Sequence, residues 1–184
     1  MSEVESVEVE EEVKVEVEVE AKKKQTEGES SKMQKERKKK QKFTHFAGWR
    51  VLVIEDCETN HELLAIKFRT GPFEDLSWQV ETATTAEEAL AKIEAESGGF
   101  ALVVFDENVA PKGGLLGTEA TRILRKKDEQ VLIIGLIETA TDELKEKSLE
   151  SGQDLLWIKP TPSAESALTD IMKALAKRRL ETMN

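Results

Sequence analysis

The sequence has no tyrosine, one cysteine, two histidines and four prolines among its 184 residues. Each shortage excludes something. A single thiol, Cys57, rules out a disulfide framework and a cluster of thiolate metal ligands, and it fits a reducing compartment. Two histidines, His45 and His61, are too few for a histidine-rich zinc site. Nowhere does the chain reach the run of about 18 apolar residues that a membrane helix needs, so no membrane association is expected. The opening segment, MSEVESVEVE, is acidic, unlike a secretory signal or an Arg-rich transit peptide. Aromatic residues are also scarce, and all six Phe and all three Trp lie beyond residue 42. The expected organisation is a disordered tail over residues 1–46, acidic and then basic, followed by one folded domain over residues 47–182.

Charge is what the tail does have. Residues 1–20 carry nine Glu against one Lys, a net of −8, and residues 21–42 carry a net of +7. The chain as a whole carries −10, which leaves −9 on the rest. A domain that acidic repels phosphates, so specific nucleic-acid recognition is not expected of it. Val and Glu alternate from Val13 to Val19. Period two is a strand signal, but an isolated strand has no partner, so disorder is the expectation and addition to another protein's sheet edge the alternative. Two basic clusters, Lys22-Lys23-Lys24 and Lys35 to Lys40, stand ten residues apart. They resemble a bipartite nuclear-localisation signal, for which the partner would be a nuclear import receptor and the location the nucleus, the cytoplasm or both. The plainer alternative is a solvated charge run.

The folded part alternates strand and helix. Apolar runs at residues 50–54, 78–82, 101–105, 131–136 and 155–158 read as strands. Helical patterns follow them at residues 60–69, from Ala86 to the Gly98-Gly99 break, and at residues 118–127, 141–151 and 164–179. Thr85 and Glu88 have the spacing of a capping box, and Gly152 closes the fourth helix. Leu63, Leu64, Ile66 and Phe68 supply the apolar residues of the first helix. Trp49, Trp157 and Met172 are expected in the core, Cys57 as a packed thiol, and His61 at the surface. Five apolar strands, each followed by a helix, predict an α/β fold: a doubly wound parallel sheet covered on both faces. In such sheets a ligand site lies beyond the carboxyl ends of the strands.

Glu55 and Asp56 follow the first strand, Asp106 the third, and Lys159-Pro160 the fifth. The fold would bring three carboxylates and a lysine to one end of the sheet. Hard oxygen ligands of this kind suit Mg²⁺, and without a cation they would repel one another.

These residues resemble the response-regulator receiver domain of two-component phosphorelays. The matching segments are Val51-Leu52-Val53-Ile54-Glu55-Asp56, Asn60, Val103-Val104-Phe105-Asp106, Gly114, Gly152 and Lys159-Pro160, spread over about residues 49–179. The resemblance implies a five-stranded flavodoxin-like sheet of order 2-1-3-4-5. It implies Asp106 as phosphoacceptor and Lys159 as the contact to the phosphoryl oxygens. Mg²⁺ would be held by Asp56 and Asp106, by Glu55 through water, and by the backbone carbonyl of Asn108. The donor would be a histidine kinase or a histidine phosphotransfer protein. Such a chain is a signalling phosphoacceptor and no enzyme beyond its own phosphorylation and dephosphorylation.

Two positions depart from that family. Ile137 stands where Thr or Ser ends the fourth strand, and Leu156 where an aromatic precedes the lysine by three; Thr139 and Thr141 lie close to the first of these. The alternative function is therefore a pseudo-receiver, an interaction module whose phosphorylation switch is lost or altered. A haloacid-dehalogenase type of phosphatase would need an acid where Asn108 stands.

Overall fold

The computed structural model describes residues 46–95, 99–109, 114–127 and 130–181. The Val-Glu alternation and both basic clusters fall outside the described residues, as do Pro111, Lys112 and Gly113.

Among the described residues, five strands and five α-helices alternate. They are β1 (Arg50–Ile54), α1 (Glu58–Lys67), β2 (Gln79–Ala83), α2 (Ala86–Ala95), β3 (Leu102–Asp106), α3 (Gly117–Arg125), β4 (Leu132–Ile137), α4 (Asp142–Ser151), β5 (Leu155–Ile158) and α5 (Ala164–Glu181). The strands form one sheet in the order β2-β1-β3-β4-β5, every pair parallel. This is the expected topology.

The inner strands explain their own sequences. Every residue of β3 and β4 is buried, and so is β1 after Arg50. A strand covered on both faces has no polar side to show, hence the continuous apolar runs. The two edge strands differ from the expectation of five fully apolar strands. Both β2 and β5 mix buried with exposed positions, because an edge strand meets solvent on one flank.

Side chains alternate across the sheet and build a core on each face. One face joins Leu52, Ile54, Val103, Phe105 and Ile133 to Ala86, Ala89, Ala120 and Leu124 of α2 and α3. The other holds an aromatic cluster in which Phe68, at the end of α1, meets Phe73, Trp78 and Trp157. Phe73 belongs to a 3₁₀ helix, Gly71–Leu76, where the sequence predicted only a break. Pro72 fits there because the first turn of a helix leaves its N–H unpaired anyway.

Several local expectations shift by a residue or two. Glu88 N donates to Thr85 Oγ1 as a capping box requires, but the Glu88 carboxylate reaches back to Thr84 N. Of the apolar residues of α1, Leu64 is buried, whereas Leu63 and Ile66 are 60% and 53% exposed. Trp157 is buried as expected; Trp49 is half-buried, its ring stacked on Trp78, and Met172 is half-buried. Cys57, expected to be packed, is exposed instead, and His61, expected at the surface, is half-buried.

Candidate functional site

The site is built by the last rungs of the sheet. Glu55 N donates to Ala83 O, Glu107 N to Leu136 O and Lys159 N to Ile137 O, so the ends of β1, β3 and β5 finish at a common edge. Parallel pairing then brings Glu55, Asp56, Asp106 and Lys159 together, as the sequence predicts.

Glu55 and Asp106 are almost wholly buried, at 1% and 4% exposure, whereas Asp56 faces solvent. Carboxylate oxygens of all three lie within 4.8 Å of one another. Lys159 Nζ stands between the two buried acids, 2.8 Å from Glu55 Oε2 and 3.0 Å from Asp106 Oδ2. The peptide bond from Lys159 to Pro160 is cis. Asn60 Nδ2 and Cys57 N donate to Glu55 Oε1 at 3.3 and 3.4 Å. Asp106 Oδ1 is buried with no hydrogen-bond partner. Asn108 lies two residues further along the turn, with an exposed side chain.

The electrostatics follow from this placement. Burial raises the Asp106 carboxyl above its ordinary value of 3.8; the hydrogen bond from Lys159 pulls it down, and the charges of Glu55 and Asp56 push it up again. Burial also opposes the charge of Lys159. Its hydrogen bonds to Glu55 and Asp106 outweigh that, and its pKa lies above the usual 10.5.

A divalent cation fits this donor set. Three oxygen donors converge, one buried oxygen has no partner, and two neighbouring acids oppose ionisation of a third. Hard cations such as Mg²⁺ take such ligands and need only a few of them from protein.

Residues that the sequence reading did not single out support the site. Gly117 opens α3 directly against the Asp106 backbone, where a Cβ would sit 2.5 Å from Asp106 O. Only glycine permits that approach. Glu107 is buried directly after Asp106 and accepts from Thr118 N at 2.8 Å. Glu107 and Thr118 stand eleven positions apart, so no periodicity marks the pair. A cleft of about 320 Å³ adjoins the cluster, lined among others by Asn60, Leu63, Lys67, Lys159 and Thr161.

The departures also take definite places. Ile137 is buried and pairs with Ile158. Thr141 Oγ1 accepts from Leu144 N and so serves as the cap of α4, while Thr139 is exposed. Leu156 is half-buried, and its neighbour Trp157 stacks on Phe68.

Solved structures with this architecture are numerous. A CheY-like response-regulator receiver domain protein from Methanospirillum hungatei aligns at 29% identity and TM-score 0.59, over 73% of this chain and 99% of that one. The fold is that of a response-regulator receiver domain. The receiver domain of a Francisella response regulator aligns at 25% identity and TM-score 0.57, over 71% of this chain and 99% of that one. The chemotaxis protein CheY4 of Vibrio cholerae aligns at 23% and TM-score 0.58, over 70% and 99%. A scan against protein-family models and a search of curated proteins returned no match. Receiver domains are signalling modules and not classical enzymes. No helix among the described residues is long and apolar enough to cross a membrane.

Proposed function

We propose that this chain is a phosphoacceptor receiver that takes a phosphoryl group from a phosphohistidine, on a histidine kinase or a histidine phosphotransfer protein, onto Asp106. The observation that carries this reading is the unpartnered, buried Asp106 Oδ1 among two further acids and a lysine. Asp106 is the nucleophile. Its carboxylate oxygen forms the new O–P bond as the P–N bond to the donor imidazole breaks. The departing nitrogen keeps the electron pair and takes up a proton. Lys159 stays beside the reacting carboxylate and balances charge on the phosphoryl oxygens. Glu55, Asp56, Asp106 and the Asn108 carbonyl would hold Mg²⁺, which supplies positive charge that lets two anions approach. Asn60 and Cys57 N orient Glu55.

Acetyl phosphate with Mg²⁺ tests the reading, with intact mass as readout. Wild type should gain one phosphoryl group and Asp106→Asn none. Equal labelling of the two would sink the assignment.

A second reading, the pseudo-receiver, draws on Ile137 and Leu156. Neither can hydrogen-bond a phosphoryl oxygen or present a ring, so the usual Thr-and-aromatic rearrangement has no parts here. Absence of the adduct in wild type, with Mg²⁺ still bound, would favour it.

A further inference from the structure

The proposed reaction leaves one buried carboxylate of the site without a role. Glu107 directly follows Asp106 and is 5% exposed. A glutamate is buried only where partners hold it. Its Oε2 accepts from Thr118 N at 2.8 Å. Its Oε1 accepts from Thr118 Oγ1 at 2.9 Å and from Lys147 Nζ at 2.9 Å. The backbone is tied as well. Glu107 N donates to Leu136 O, and Glu107 O accepts from Gly117 N. One residue thus links the acceptor turn to β4, to the first turn of α3 and to α4.

The far end of that link is a helix with little apolar hold. The buried residues of α4 are Ser148 and Ser151, and Leu149 is 73% exposed. Hydrogen bonds seat it instead. Ser148 Oγ donates to Gln153 Oε1 at 2.6 Å, and Gln153 Nε2 donates in turn to Thr121 Oγ1 of α3 at 3.3 Å, while Ser151 Oγ donates within the helix to Ser148 O at 2.6 Å. Lys147, one residue before Ser148, places the ion pair with Glu107 at the edge of this seat.

We propose that Glu107 is a positioning residue that couples the state of Asp106 to the seating of α4 through Lys147. The proposal rests on the phosphoacceptor reading. Phosphorylation turns the Asp106 carboxylate, of charge −1, into an aspartyl phosphate of about −2, so about one further negative charge arises on the residue before Glu107. Repulsion then weakens the hold of Glu107 on Lys147, and α4 loosens on its polar seat. This route uses neither a hydroxyl at the end of β4 nor an aromatic in β5, the two groups that Ile137 and Leu156 replace.

The test is hydrogen exchange of residues 142–151 in the full chain, with and without excess acetyl phosphate and Mg²⁺, and with the adduct read by intact mass from the same sample. In wild type the adduct should speed exchange there about tenfold, the size expected for losing one half-buried charged hydrogen bond. Lys147→Met should show that faster exchange without phosphate and no further rise with it, while still forming the adduct. Glu107→Gln should behave likewise, and Lys147→Arg should restore the wild-type response. Adduct formation with unchanged exchange in α4 overturns the coupling alone, as does a wild-type response in Lys147→Met. No adduct in wild type overturns the phosphoacceptor reading and the coupling together.

Discussion

Asp106 is held against its own preference. Burial and two neighbouring acids favour its neutral form, so its carboxyl titrates above the ordinary 3.8. A carboxyl whose pKa is raised by folding binds its proton more tightly in the folded state. Ionising it therefore destabilises the fold, and the penalty grows as pH rises from 3.8 through the raised value. Above that window it is fully present. Asp106→Asn should accordingly melt a few degrees higher than wild type at neutral pH, and the difference should vanish as pH falls below the ordinary carboxyl range. Thermal melts at a series of pH values check this, and a variant less stable at neutral pH would contradict it. Lys159 has the converse role. Removing its charge as Lys159→Gln should slow adduct formation about a hundredfold, on the scale of losing one oriented donor to a transition-state oxyanion. Time courses with acetyl phosphate read that rate.

At the scale of elements, β4 meets the segment after α4 at a polar side chain. Gly135 lies at the centre of β4, and a Cβ there would fall 2.1 Å from Gln153 Oε1. Gln153 is itself fixed by Ser148 and Thr121. Gly135→Ala should therefore destabilise by about 1–3 kcal/mol, the usual range for an overfilled core. Shortening the obstructing side chain should recover part of that loss, so Gly135→Ala with Gln153→Ala should be less harmful than the sum of the two. Urea melts of the four proteins form the cycle, and strict additivity would show that the contact does not govern the position. Gly117 presents the same situation against a harder obstacle. Its would-be Cβ meets the Asp106 backbone, which cannot swing away as a side chain can. Gly117→Ala should shift the acceptor turn and cut phosphoryl labelling more than it lowers the melting temperature.

For the whole molecule, charge at the strand ends is uneven. Three acids share one lysine at the strand ends. A ligand bound by the folded state alone stabilises it by RT ln(1 + [L]/Kd), about 2.7 kcal/mol at a hundred times Kd. Mg²⁺ should raise the melting temperature of wild type in proportion, and Asp56→Asn should remove most of the rise. Asp56 is exposed, so the substitution leaves the core intact. An equal rise in both proteins would place the cation elsewhere.

The sequence by itself determined the architecture and which residues gather at the strand ends. Residues covered on both faces must be apolar throughout, which made β1, β3 and β4 readable, and carboxylates straight after such runs have one place to go. It also settled that Ile137 and Leu156 bring no hydroxyl and no ring. What the tertiary structure alone decided were contacts between residues far apart in the chain. The Glu107–Lys147 pair spans forty positions, and the Gly135–Gln153 approach joins β4 to the segment between α4 and β5. Neither leaves a periodic trace, because periodicity records only which face a side chain occupies. The outward turn of Leu63 and Ile66 was equally hidden, since an apolar stripe does not say how much of it the sheet can cover. Burial of Asp106 Oδ1 without a partner emerged only when three strand ends closed around it. Desolvation depends on the surrounding volume, which no single stretch of sequence contains.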